Sequence, residues 1–100
     1  MEIKEYQKLA TKIVNDIDKK YNIDRDAQLN VSQLVEEIGE LAKVANLERL
    51  RGKIPEKKDL EDEFADVLIQ LAKLADMFDV NMEKAVLDKI EILKQRHGLD

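Results

Sequence analysis

Residues 34–41 read LVEEIGEL and residues 60–67 read LEDEFADV, and the two stretches match position by position. Apolar residues recur in them at intervals of four and three, as in Leu34, Ile38 and Leu41. This spacing places the apolar side chains on one face of an α-helix. No alternating run of strand length occurs elsewhere in the chain. The sequence therefore predicts an all-α fold in which these stretches lie on two amphipathic helices.

The same periodicity predicts a helix before this pair, which ends near Lys20. Two starts are open for the second helix. Asn30, with Gln33 three residues later, has the pattern of a capping box, but the helix could also begin near Asp26. Its apolar spacing continues towards Leu50.

The later helix boundaries are marked by residues that stop or start helices. Gly52 interrupts the chain, and Pro55 can open the third helix because its missing N–H is not needed in a first turn. That helix is predicted to continue to about Asp79. Asn81 is a typical cap for a fourth helix, which Gly98 should stop. Four helices joined by short loops predict a bundle-like architecture.

Composition narrows the classes of function. The net charge is −5, with 22 acidic and 17 basic residues and no basic block, so nucleic-acid binding is not expected. The absence of cysteine excludes a disulfide framework and a thiolate zinc site. The first ten residues are too charged for a signal peptide, and no stretch approaches membrane-spanning length. We therefore expect a cytoplasmic protein without a membrane partner.

The chain length of 100 residues and the hydrophobic content of 44% predict one helical domain, residues 1–100. A chain this short buries a modest fraction of its surface. The third helix is apolar over more than half of its circumference, through Val67, Leu68, Ile69, Leu71, Ala72, Leu74, Ala75 and Phe78. One neighbouring helix cannot cover that surface, so we expect this helix to be central, to form a homo-oligomer interface, or both.

Two pairs of carboxylates lie at the edges of these apolar faces. At about 100° per residue, Glu37 lies roughly 60° from Leu34, and Glu40 lies about 60° further round. Glu63 and Asp66 occupy the same two positions on the third helix. If the helices pack by their apolar faces, both pairs can border one groove.

Carboxylates brought together in this way need a counter-charge. Like charges three or four residues apart on a helix cost roughly 0.2–0.5 kcal/mol per pair, and contacts at about 4 Å between helices cost on the order of 1–4 kcal/mol. Oxygen ligands without sulfur or imidazole select a hard cation, and Mg²⁺ or Mn²⁺ fits best. The competing interpretation is a solvated helix surface in a chain that is 39% charged.

The segments EEIGEL at 36–41 and EFADVL at 63–68 resemble the EExxE…ExxD signature of the all-α MazG-like nucleoside triphosphate pyrophosphohydrolases. The resemblance extends from about Leu34 to Gly98. It implies a MazG-type helical fold, assembly as a homodimer or homotetramer, and Mg²⁺-dependent cleavage of a nucleoside triphosphate between its α and β phosphates.

Site residues follow from the resemblance by position. Glu37, Glu40, Glu63 and Asp66 would be the metal ligands, and Glu36 would position or deprotonate the attacking water. On the last helix, Lys89 and Arg96 stand where the family places phosphate-binding cations. Three departures concern the nucleobase: Leu47 and Gln70 stand where relatives often carry aromatics, and Leu93 stands where they usually carry Asn.

Two alternative functions stay open. Within the superfamily, the substrate could be phosphoribosyl-ATP, although Gly39-Glu40-Leu41 is closer to MazG. From a different class, the chain could be a helical interaction module with a vestigial acidic groove. A di-iron bundle is disfavoured because such sites use Glu-x-x-His pairs, and His97 is the only histidine.

Overall fold

The computed structural model describes residues 1–100 and contains five α-helices and no strand. In chain order, the helices are α1 (Ile3–Tyr21), α2 (Ala27–Ala45), α3 (Leu47–Arg51), α4 (Lys57–Met77) and α5 (Met82–Arg96). The prediction of an all-α fold is confirmed, and the four long helices α1, α2, α4 and α5 are those expected from the apolar spacing. The short helix α3 was not predicted. No helix combines the length and the apolar character needed to cross a membrane.

Side-chain and backbone caps set the first two boundaries. Asn22 adopts a left-handed conformation with φ of 54°, and its N–H donates to the carbonyl of Asp18, which ends α1. Asp26 caps α2, because its side chain accepts a hydrogen bond from the Leu29 N–H at 2.8 Å. Of the two predicted starts, the one near Asp26 is therefore correct. Asn30 lies one turn inside the helix, where it is fully buried.

The second predicted helix does not run unbroken to Leu50. Helix α2 ends at Ala45, and Asn46 leaves helical geometry with ψ of 9°. The Asn46 side-chain amide donates to a carbonyl of the preceding turn at 2.8 Å, which favours a helix end. Helix α3 follows and ends at Gly52, whose φ of 67° suits a residue without a Cβ. Helix α4 begins two residues after Pro55 rather than at it.

The turn between α4 and α5 is tight. Helix α4 ends at Met77, two residues before the predicted Asp79, which has a left-handed φ of 55°. The side chain of Asn81 accepts a hydrogen bond from the Lys84 N–H at 3.1 Å and so caps α5, as the sequence predicts. The left-handed Asp79 lies within the four-residue connection, residues 78–81, between α4 and α5.

Helix α4 is central, since it packs against both α2 and α1, while α5 contacts α1. The Tyr6 hydroxyl donates to the Leu68 carbonyl at 3.0 Å and joins α1 to α4. The Gln7 side chain joins α1 to the start of α5, donating to the Val80 carbonyl and accepting from the Met82 N–H. Helix α1 is thus the bridge between the α2–α4 pair and α5.

Most of the apolar surface of the single chain is exposed. Only four residues are buried, namely Ala10, Val14, Asn30 and Ala72. Apolar rows with the four-then-three spacing remain exposed on three helices: Val31, Val35 and Ile38 on α2; Phe64, Leu68 and Leu71 on α4; Val86, Ile90 and Leu93 on α5. The radius of gyration is 16.2 Å, against about 13 Å for a compact domain of this length. The bundle is therefore open, and its exposed rows exceed what an isolated domain usually presents.

Candidate functional site

Three carboxylates from α2 and α4 converge at the contact between these helices. One oxygen each from Glu37, Glu63 and Asp66 lies within 4.8 Å of the other two. The convergence follows from the matched segments, because each helix carries its carboxylates at the edge of the apolar face by which it packs on the other. We call these three residues the acidic trio.

The acidic trio is partly removed from water and has no counter-charge of its own. Oε2 of Glu63 is buried and has no hydrogen-bond partner. Burial raises the pKa of Glu63 above its ordinary value, and the charges of Asp66 and Glu40 raise it further. Burial also raises the pKa of Glu37, with added contributions from Asp66 and Glu63. Deprotonation of Glu37 and Glu63 is therefore less favourable than that of a free carboxyl group, and a bound cation would favour it.

The two remaining acidic candidates lie beside the trio rather than within it. Glu40 is exposed, one turn beyond Glu37, and its negative charge raises the pKa of both Glu37 and Glu63. Glu36 is also exposed and raises the pKa of Glu37. The structure thus brings Glu37, Glu63 and Asp66 into contact range and leaves Glu36 and Glu40 at the solvent-facing edge.

The donor set of the trio suits a hard divalent cation. All of its ligand atoms are carboxylate oxygens, which Mg²⁺, Mn²⁺ and Ca²⁺ prefer. Oxygens on opposite sides of Mg²⁺ lie about 4.2 Å apart, given bond lengths of about 2.1 Å. Only one pair among three ligand oxygens can lie opposite each other on an octahedral ion, and adjacent oxygens lie about 3.0 Å apart. The trio oxygens, within 4.8 Å of one another, would therefore move closer together on binding. The three residues could therefore hold a divalent cation.

A cavity of about 290 Å³ adjoins the trio and is lined by both Glu37 and Asp66. Its apolar walls come mainly from α1 and α4, through Ile13, Val14, Ile17, Ile23 and Ile69. Three polar side chains complete the lining: Arg25, Gln33 and Gln70. We call this space the isoleucine cavity. Sequence reasoning did not identify the contribution of α1, because the apolar row of α1 indicates that this helix packs by one face but not which helix it packs against.

Arg25 organises the polar wall of the isoleucine cavity. Its guanidinium forms two hydrogen bonds with the Asp18 carboxylate, at 2.6 and 3.0 Å, and both side chains are largely buried. The same guanidinium donates to the side-chain oxygens of Asn30 and Gln33. Asn30 in turn donates to the Gln70 backbone carbonyl at 3.0 Å, which ties α2 to α4. This Arg25 network was not anticipated, because nothing in the sequence marks Arg25 as different from the other basic residues.

The cations proposed for phosphate lie elsewhere in the chain. Lys89 and Arg96 are exposed on α5 and do not line the isoleucine cavity. Among the three departures from the family pattern, Gln70 lines the cavity, Leu47 begins α3, and Leu93 lies in the exposed row of α5. Only the departure at Gln70 therefore falls beside the acidic trio within one chain.

A larger cavity of about 500 Å³ lies between α1 and the α4–α5 turn. Its ionisable lining residues are three lysines and three aspartates: Lys4, Lys8, Lys12, Asp16, Asp76 and Asp79. The charges balance, and only one lining residue, Val80, is hydrophobic. This surface offers neither a concentrated charge for phosphate nor an apolar wall for a ring, so the acidic trio and the isoleucine cavity form the better candidate site.

Comparison with known proteins points to one family. The family model described as the MazG nucleotide pyrophosphohydrolase domain matches residues 25–98. The matched region contains α2 to α5, and with them the acidic trio, Glu36 and Glu40, while α1 precedes it. A comparison with curated proteins gave no match.

Proposed function

Because the chain belongs to the MazG nucleotide pyrophosphohydrolase domain family, we propose that it hydrolyses nucleoside triphosphates, ribo or deoxy, to monophosphate and pyrophosphate with Mg²⁺. The observation that carries the proposal is the acidic trio, in which a buried carboxylate oxygen of Glu63 lacks any partner. A buried, unsatisfied carboxylate is costly to a fold, and a bound cation would compensate for it.

Glu37, Glu63 and Asp66 would hold the cation, and Glu40 would join them from the adjacent turn. When bound, Mg²⁺ supplies positive charge against the triphosphate oxygens and acidifies coordinated water. Mn²⁺ is expected to substitute, since it accepts the same oxygen ligands. The family uses divalent metals of this kind, and the all-oxygen donor set fits them.

The chain also offers a base for hydrolysis. Glu36 is exposed beside Glu37 and is free to accept a proton from a water molecule at the edge of the site. The water oxygen bonds to phosphorus, the α–β anhydride bond breaks, and pyrophosphate leaves. No protein nucleophile is needed, which agrees with a chain that lacks cysteine. Glu36 is thus proposed to position and deprotonate the attacking water.

Lys89 and Arg96 are proposed to bind phosphate oxygens. Both side chains are exposed, so neither is committed to a buried structural contact. Helix α5, which carries them, packs on α1, and α1 forms one wall of the isoleucine cavity.

Pyrophosphate release from a panel of nucleoside triphosphates tests the proposed function. We expect release with Mg²⁺, weaker or comparable release with Mn²⁺, and none in excess EDTA. Phosphoribosyl-ATP belongs in the panel, because its preferential cleavage would move the assignment to the histidine-pathway branch. A folded protein that releases no pyrophosphate from any substrate with either metal would refute the enzyme proposal and favour an interaction module.

We further propose that residues 1–100 act as one helical domain that assembles as a homodimer or homotetramer. The exposed apolar rows of α2 and α4 support assembly, since Val35 is 63% exposed and Phe64 is 55% exposed. Rows of this size on neighbouring helices are typical of a covered surface.

Sedimentation velocity is expected to show a dimer or tetramer for the natural sequence. Phe64→Lys should shift the distribution to smaller species, because a charge would be buried in the interface. Glu61→Lys, at an exposed polar position on the same helix, is the matched control and should leave the distribution unchanged. A stable monomer at tens of micromolar would refute the assembly proposal.

A further inference from the structure

Asn30 is the one buried polar residue of the chain, and its side chain joins α2 to α4. The NH₂ group of this side chain donates to the backbone carbonyl of Gln70 at 3.0 Å. The side-chain oxygen accepts a hydrogen bond from the Arg25 guanidinium, also at 3.0 Å. Because a carbonyl only accepts and a guanidinium only donates, these two contacts fix a single orientation of the Asn30 amide.

The bond between Asn30 and Gln70 has the same alignment as the acidic trio. Asn30 lies beside Gln70 and Glu37 lies near Glu63, so α2 and α4 are antiparallel. Asn30 and Glu37 are seven residues apart on α2, and Gln70 and Glu63 are seven residues apart on α4. Seven residues make about two helical turns, or about 10.5 Å, and return to nearly the same face. The alignment that pairs Asn30 with Gln70 therefore also brings Glu37 to Glu63.

Apolar packing alone does not select this alignment. Apolar residues cover more than half of the circumference of α4, and four of them are nearly consecutive: Val67, Leu68, Ile69 and Leu71. If α2 slid along α4 by one turn, about 5.4 Å, it would still meet apolar side chains. That displacement exceeds the separation of opposite ligands on one Mg²⁺, about 4.2 Å. With the present rotamers, at least one carboxylate of the trio would then leave the ligand set. A buried polar side chain can exclude such a slide, as a single Asn does in coiled coils.

Arg25 opposes the formation of the same bond at another turn of α4. Asp18, on α1, accepts two hydrogen bonds from Arg25, at 2.6 and 3.0 Å. Helix α1 is itself held on α4, where the Tyr6 hydroxyl donates to the Leu68 carbonyl. A slide of α2 by one turn would break the contacts of Arg25 or the bond from Tyr6, even if the Asn30 amide found a new carbonyl. The start of α2 is thus tied to a helix that is fixed on α4.

From these contacts we infer that Asn30 is a positioning residue, which sets the alignment of α2 on α4 that assembles Glu37, Glu63 and Asp66 into one cation site. The inference rests on the proposed function, in which the trio holds the metal. Asn30 acts through the helices and not on the ion, since it lies about two turns from Glu37. Loss of contacts that orient metal ligands typically lowers metal affinity about 10–100-fold.

Asn30→Asp tests the inference with the shape of the side chain preserved. The carboxylate can still accept a hydrogen bond from Arg25, but no NH₂ group remains to donate to the Gln70 carbonyl. We expect the affinity for Mn²⁺, measured by calorimetry without nucleotide, to fall at least about tenfold. The added negative charge would by itself attract the cation. A fall in affinity therefore reports the positions of the ligands and not the change in charge.

Asn30→Leu tests the same contact without adding charge. Leu has a higher helix propensity than Asn, and apolar replacement of a buried polar group is often tolerated by the fold. The variant should therefore unfold cooperatively, while its Mn²⁺ affinity falls at least about tenfold. Ala10→Gly is the control for lost stability, because Ala10 is buried on α1 and does not line the isoleucine cavity. It should lower the melting temperature and leave the Mn²⁺ affinity unchanged.

Metal binding and nucleotide hydrolysis separate the inference from the proposed function. If the natural sequence binds Mn²⁺ and neither Asn30 variant loses affinity, the inference is overturned and the proposed function stands. An equal loss of affinity in Ala10→Gly also overturns the inference, because stability would then be the cause. Loss of affinity in the Asn30 variants alone supports the inference, even if no nucleotide is hydrolysed and the proposed function fails. If the natural sequence binds no Mn²⁺, the inference is overturned, and hydrolysis alone decides the proposed function.

Discussion

Glu63→Gln is expected to reduce pyrophosphate release at least about 100-fold and, in the absence of metal, to raise the melting temperature by a few degrees. The first effect follows because the amide keeps the shape of the side chain but loses an anionic ligand. The second follows because Glu63 is held against Asp66 and Glu37 with a buried, unpartnered oxygen. Removing its charge relieves that repulsion. A gain in stability with a loss of activity is the signature of a binding site rather than of a structural contact.

The pH dependence of the free energy of unfolding, measured without metal, tests the same repulsion among the carboxylates. Glu37 and Glu63 have pKa values raised above 4.5 in the folded chain, so the folded state binds protons more tightly than the unfolded state. The free energy of unfolding in EDTA should therefore fall as pH rises from about 4.5 through the raised pKa values, and remain low above them. Glu63→Gln should flatten this decline. Thermal unfolding monitored by circular dichroism at several pH values measures both.

In saturating Mg²⁺, the natural sequence should be more stable than Glu63→Gln, which is the reverse of the order expected without metal. The natural sequence gains melting temperature by binding the cation in its folded state, whereas Glu63→Gln gains less. Glu61→Gln is the matched control, because Glu61 is exposed on the same helix. It should keep both the activity and the metal response. Full activity of Glu63→Gln, or a loss of stability in EDTA, would mean that the trio is an ordinary solvated surface.

The carboxylate positions could be predicted from the sequence because they depend on local geometry. An apolar row fixes which face of a helix packs, and a residue three positions away then lies at the edge of that face. Glu37 and Glu63 needed only this rule, together with the matched pattern of the second segment. That the carboxylates of the two helices converge could also be predicted, since similar apolar faces are the surfaces most readily buried together.

The cavity and its Arg25 network could not be predicted in this way. Ile13 and Ile17 reach the site only because α1 packs on α4, and their sequence separation from Asp66 carries no local signal. The end of α2 was missed for a related reason. Apolar spacing continues past Ala45, while the residue that ends the helix, Asn46, does so through its own side chain. The spacing of apolar residues does not detect a helix end that is set by a polar side chain.

Arg25→Ala is expected to give the largest loss of stability of any single substitution considered, about 3–5 kcal/mol. The Arg25 side chain is 7% exposed and its partner Asp18 is 12% exposed. Truncation leaves the Asp18 carboxylate in a largely buried position without a cation. It also leaves the side-chain oxygens of Asn30 and Gln33 without their donor. Urea unfolding measures the loss as a lower transition midpoint.

Two further sets of variants test whether burial is the cause of the stability loss expected for Arg25→Ala. Lys58→Ala removes an ion pair with Asp62 in which the side chains are 77% and 56% exposed, and it should cost no more than about 0.5 kcal/mol. The double variant Asp18→Asn with Arg25→Ala should be less destabilised than the sum of the two single variants, because neither then leaves a charge unpaired. If Arg25→Ala were as mild as Lys58→Ala, the guanidinium would be solvated in solution.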